Sequence, residues 1–216
     1  MHLMIELMMA VSLAACAGLR AWMPLLIVGL MARGGYMDLN THFAFLARTD
    51  ALIIFGVATA LELVGDKVIV IDHFLDVVGT AVRPAAATIL ASSMLTHSDP
   101  VAASVFGLIV GGGTALTIHG AKAALRAKVS ALAPLHGGMG NASVSLGEDL
   151  VTGAGVLAVV HTPILAFAVT ACALAGAVWL IVTCAHHVRR WGGALTLRRR
   201  PPAEAEDAQK TPAGLP

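Results

Sequence analysis

Charge is scarce in this chain: Asp, Glu, Lys and Arg make up 12% of its 216 residues, about half of the roughly 25% typical of soluble domains. An excess of either sign is missing too. The formal net charge is +1, so no bulk polarity points to nucleic acid, which is not an expected partner. Cysteine is limited to Cys16, Cys172 and Cys184, all in apolar stretches and none at metal-ligand spacing; such thiols act as small hydrophobes. Nucleophile elbow, Walker loop and His-Glu-x-x-His helix are all absent, as is the Asp-Gly-x-x-Ala-Arg element of CDP-alcohol phosphotransferases. The Gly137-Gly138-Met139-Gly140 loop follows no strand, which excludes a nucleotide-fold reading. No catalytic residue is assigned.

What remains is hydrocarbon. Hydrophobic residues reach 57% and the mean hydropathy is +0.82, so the lipid bilayer is the expected partner. Apolar stretches at 3–31, 51–64, 77–95, 101–121 and 150–185 compare with the roughly 20 residues one span needs. The last is too long for one upright span and holds Pro163, so it reads as a kinked helix or two pieces. The expectation is an all-α polytopic bundle of five to six membrane segments, since open sheets cannot satisfy their backbone in lipid. Residues 1–187 form the transmembrane domain, and 188–216 a basic juxtamembrane segment and disordered tail. Arg189, Arg190, Arg198, Arg199 and Arg200 place the C-terminus in the cytoplasm. Lys122, Arg126 and Lys128 favour the same side, which requires 150–185 to cross an even number of times or to enter and return. Leu13-Ala14-Ala15-Cys16 has the form of a lipoprotein box, but its segment lacks a basic start and runs on apolar to Met31, so it is kept as a membrane segment.

A charge within hydrocarbon costs several kcal/mol, roughly 3 on insertion scales. The few ionisable residues therefore lie at the interface or form a site. Glu62, Asp66, Lys67, Asp72, Asp76 and Arg83 make the densest group. Asp72, Asp76, Gly79 and Arg83 share one helical stripe, which suits a polar core binding a cation or relaying protons. They equally suit a cytoplasmic turn, with one helix ending near Val64 and the next starting near Gly79. His119, Lys122 and Arg126 share a face fit for an anion or lipid headgroup, or for cations snorkelling at a helix end. Arg20 sits mid-segment, where snorkelling is difficult, and is expected to face protein and pair with a carboxylate. Ser145-Leu146-Gly147-Glu148 has capping-box spacing, with Asp149 favouring the positive helix end, and residues 136–145 read as an exposed loop. Gly18-Leu19-Arg20 with Pro24, and Gly111-Gly112-Gly113 before His119, interrupt one helix in each half. Such pairing points to a two-fold internal repeat of the transporter kind.

Gly18-Leu19-Arg20-Ala21-x-x-Pro24-Leu25, Glu62-x-x-x-Asp66-Lys67, Asp72-x-x-x-Asp76 and Arg83-Pro84 resemble the bacterial membrane family catalogued as domain of unknown function 4126. His119-x-x-Lys122-Ala123-x-x-Arg126, Asn141, Ser145 and Glu148-Asp149 continue the likeness over about residues 5–185. The chain departs from the family pattern at Val68-Ile69 and Ala142, where proline is usual. The resemblance implies a helical bundle of the bacterial inner membrane and carries no chemistry.

The residues themselves point first to a small transporter or channel for an ion or small anionic solute. Its carboxylates would take a coupling cation or proton, and Arg20 and Lys122 would balance charge. Two other classes stand beside it. One is a membrane-embedded enzyme on a phosphorylated lipid with Mg²⁺ held by Asp and Glu; the other is a non-catalytic scaffold, self-associating as a homo-oligomer or not, in which charge pins helix packing.

Overall fold

A computed structural model describes residues 1–65, 69–131 and 139–198, with side chains for 1–65, 77–126 and 145–186. With no water in hydrocarbon to bond peptide groups, the chain satisfies them within helices. These are α1 (His2–Leu19), α2 (Trp22–Arg33), a 3₁₀ segment (Thr41–Ala47), α3 (Thr49–Gly65), α4 (Ile69–Met94), α5 (Pro100–Phe106), α6 (Gly112–Ala131), α7 (Met139–His161) and α8 (Pro163–Arg198). A π-helical segment, Gly107–Gly111, joins α5 to α6. No strand occurs among the described residues. His2–Leu19, Val77–Met94, Pro100–Arg126 and Pro163–His186 are long and apolar enough to cross a membrane. The 3₁₀ segment and α3, bent by 61°, make a fifth span if taken together. The protein is an all-α, multi-pass membrane protein, with four to five candidate spans among the described residues on these criteria, where the sequence leads to five to six.

Three prolines mark helix starts, while Pro84 lies inside α4. Pro24 stands in the first turn of α2, and Pro100 and Pro163 open α5 and α8, positions where the missing N–H would have no helical partner anyway. Asp99 caps α5, its carboxylate accepting from Val101 N at 2.9 Å. The two longest apolar stretches are therefore each divided. The first breaks at Arg20, whose backbone is extended (φ −135°, ψ 123°). The second breaks at Thr162, between α7 and α8.

Both divisions reverse the chain. Glu6, early in α1, takes a hydrogen bond from Thr96, beyond the end of α4, and meets His97 Nδ1 at 2.7 Å. The chain after α2 returns to that same end: Asn40 donates to Leu95 O at 2.8 Å, and its backbone N–H bonds Ser93 O at 2.8 Å. Hence α1 and α2 form a hairpin with its tip at Arg20–Ala21. Likewise Val151 of α7 and Ala173 of α8 line one cavity, while Ala158 and Leu165 line its other end. The α7–α8 pair thus enters and returns, and the ends of α6 and α8 lie on one side of the bundle.

Packing rests on small side chains, as membrane interfaces favour: Ala10, Ala14, Ala17, Ala87, Ala91 and Ala115 are buried around Leu13, Leu90 and Val156. Three expectations are corrected. The turn proposed for residues 72–79 is helix, because α4 runs unbroken from Ile69. Residues 139–145 are helix rather than exposed loop, and Ser145 is buried inside α7 rather than capping it. The two interruptions differ in kind, an extended break at Arg20 and a π turn within a continuing helix at Gly107–Gly111.

Candidate functional site

The tip of the α1–α2 hairpin is where the scarce charges gather, and the reason is electrostatic. A helix end leaves carbonyls without partners at its C-terminus and N–H groups without partners at its N-terminus, giving partial negative and positive charge respectively. The last carbonyl of α1, Leu19 O, accepts from Lys122 Nζ of α6 at 3.3 Å. The first amides of α2, Ala21 N and Trp22 N, donate to the two carboxylate oxygens of Glu62 on α3 at 3.2 and 3.4 Å. Each end of the broken helix therefore meets an opposite charge from a different neighbouring helix.

Between them, Arg20 is fully buried and reaches α7. Its guanidinium lies 2.7 Å from Asp149 Oδ1 and donates to Ser145 Oγ at 2.9 Å. The sequence leads to a carboxylate partner for Arg20; the structure supplies it from the other half of the chain. Ser145 was missed, because its spacing to Glu148 imitates a helix cap. Glu148 instead turns inward, with Lys122 Nζ at 2.8 Å and Arg126 Nη2 at 3.3 Å from the same oxygen, Oε2.

Arg83, 2% exposed on α4, completes the ring. One guanidinium nitrogen lies 3.9 Å from Glu62 Oε1, and another donates to His119 Nδ1. Arginine can only donate, so His119 accepts at Nδ1 and carries its proton on Nε2, which donates to Thr80 Oγ1 at 3.3 Å. Four cations (Arg20, Arg83, Lys122, Arg126) and three carboxylates (Glu62, Glu148, Asp149) thus surround one hairpin tip. Five helices besides α2 contribute. A cavity of about 250 Å³ opens beside Glu62, walled by Ala21, Trp22, Leu61, Gly79 and Val82.

Asp66 and Lys67 lie outside the described residues, as do the side chains of Asp72 and Asp76, though both Asp stand on α4 below Arg83. Among the described residues no three His, Cys, Asp or Glu side chains converge as metal ligands. The described carboxylates of the tip all face cations. Along α4, about 17 Å of helix separates Arg83 from Met94, and along α7 about 20 Å separates Glu148 from His161. Against a hydrocarbon thickness of about 30 Å, the charge lies well inside the bundle's length.

Residues 7–183 match the family described as Domain of unknown function (DUF4126), and the chain belongs to that family. Neither a curated protein nor a solved structure matches it.

Proposed function

We propose that this member of a family without assigned activity is a small membrane transport protein, and that the α1–α2 tip holds the ion or small anionic solute it moves. One observation carries the reading: a helix broken inside the bundle, its carbonyl end matched by Lys122 and its amide end by Glu62. Broken helices whose half-helix ends point at opposite charge are how transporters build sites away from water. Ionisable groups inside a membrane bundle also carry a functional expectation of their own. In this reading Glu62 occupies an anion position at α2 that a solute or proton contests, and Arg83 and Lys122 keep the site balanced as that carboxylate changes partner. A coupling cation or proton would act through Glu62, Glu148 and Asp149, with Asp66, Asp72 and Asp76 following on α4 and before it. The site would lie in the bacterial inner membrane, with the ends of α6 and α8 facing the cytoplasm because basic residues cluster there.

Purified protein in vesicles tests the proposal. Arg20→Gln and Glu62→Gln should each abolish flux of a small anion or its coupled proton while thermal unfolding still shows a folded protein. Flux at the unmodified level in both variants would falsify it, and would leave the charges as a device for pinning helices.

A further inference from the structure

A second feature adjoins the hairpin tip on the α8 side of the bundle. The α7–α8 hairpin leaves space between its arms, lined by residues of both helices. Two cavities occupy it, of about 440 and 420 Å³. They share Leu19, Ile118, Val151 and Ala173 as walls, so they adjoin as two lobes of a crevice floored by α1 and α6. Each is within the 300–1,000 Å³ range of small-molecule sites. The crevice runs along α8 from Leu165 to Leu180, about 22 Å of helix, somewhat longer than the roughly 15 Å depth of one bilayer leaflet.

Its two ends differ chemically. Near the turn the walls are apolar and small, Ala154, Gly155, Ala158 and Ala166 among them. At the other end Lys122 and Glu148 form part of the lining. The Lys122 ammonium has three protons and, among the described residues, two acceptors, Glu148 Oε2 at 2.8 Å and Leu19 O at 3.3 Å. Arg126 stands beside it on the same carboxylate. The space is open at Gly176, where an added Cβ would meet nothing within 4 Å.

We infer that this crevice is a binding site for an anionic membrane lipid, one acyl chain lying between α7 and α8 and the acidic headgroup set against Lys122. An apolar slot long enough for an acyl chain that ends on a buried cation has the polarity pattern of such a molecule. A second protein copy would bring apolar surface to both ends and leave Lys122 facing it. The inference shares Lys122 with the proposed transport site but does not depend on transport, because its test reads lipid labelling and its filling variants at Gly176 and Ala173 lie outside the charged tip.

The experiment uses full-length protein in phosphatidylcholine vesicles containing either a phosphatidylglycerol or a phosphatidylcholine with a photoactivatable group on its acyl chain. Labelled peptides are mapped after irradiation. The phosphatidylglycerol probe should label the facing surfaces of α7 and α8 about tenfold more than the phosphatidylcholine probe: both offer a phosphate, but only phosphatidylcholine adds a headgroup ammonium, which Lys122 and Arg126 would repel. Gly176→Phe, which fills open space, should remove that labelling, and Lys122→Gln should bring both probes to the same level. Ala173→Leu serves as a second filling variant should Gly176→Phe not fold. Equal labelling by the two probes, or labelling indifferent to the filled crevice, overturns the inference and leaves only ordinary bilayer contact.

Discussion

Glu148 shows how much one side chain can be asked to do in a chain with few charges. A single oxygen answers both Lys122 and Arg126, and the carboxylate is 8% exposed. Removing it leaves two cations on neighbouring turns of α6 facing each other in a site with little water. Glu148→Ala should destabilise the protein by about 3–5 kcal/mol, the usual cost of breaking one side of a buried pair, read as a lowered unfolding midpoint in detergent. Glu148→Asp, with the charge kept and the reach shortened, should lose less; equal losses would mean that volume, not charge, matters there. At this scale the pairing of Arg20 with a carboxylate is legible in sequence, because a mid-segment arginine has few alternatives. The role of Ser145 is not legible: Ser-x-x-Glu has the same spacing whether it opens a helix or lines one face of it.

Among elements, two of the successive glycines at 111–113 meet opposite demands. A Cβ at Gly111 would stand 2.8 Å from both Ala87 O and the Ala91 methyl of α4, so the π turn packs there backbone to backbone. At Gly113 a Cβ would meet nothing within 4 Å. Gly111→Ala should therefore cost about 1–3 kcal/mol through overpacking. Gly113→Ala should be neutral or gain up to about 1 kcal/mol from reduced backbone entropy loss. Chemical unfolding followed by circular dichroism compares the two, and a larger loss at 113 than at 111 would contradict the packing described. Hydropathy locates these segments well but says nothing about which face meets protein, since lipid and core are equally apolar. For the same reason it reads residues 3–31 as one stretch. The division there depends on Pro24 falling in the first turn of a new helix, and proline has the same letter in a kink and at a start.

For the molecule as a whole, the two hairpins set which ends face together. Ser98, beyond α4, and Thr162, between α7 and α8, belong to one side; His186, far along α8, belongs to the other. In a background with Cys16, Cys172 and Cys184 replaced, single cysteines at positions 98 and 162 should react with an impermeant thiol reagent from the same face of sealed vesicles. A cysteine at 186 should react from the opposite face only. Labelling of 98 and 162 from opposite faces would rule out the α7–α8 return. The requirement that the basic residues of α6 and the C-terminal arginines share a side is visible in the sequence as a parity condition. Satisfying it takes the reversal at Thr162, where Pro163 marks a break but has the same letter in a kink and in a return.

The contact between Arg20 and Asp149 also has a consequence for how the protein is made. Ribosomes add about 5–20 residues per second, so Asp149 and Ser145 emerge on the order of ten seconds after Arg20. Throughout that interval the first hairpin must wait at the translocation machinery or the bilayer edge with a guanidinium whose acidic partner has not yet been translated. Chains released before α7 should be recovered mainly with chaperones or membrane proteases, because the partner that lets the tip settle in lipid is among the last to arrive.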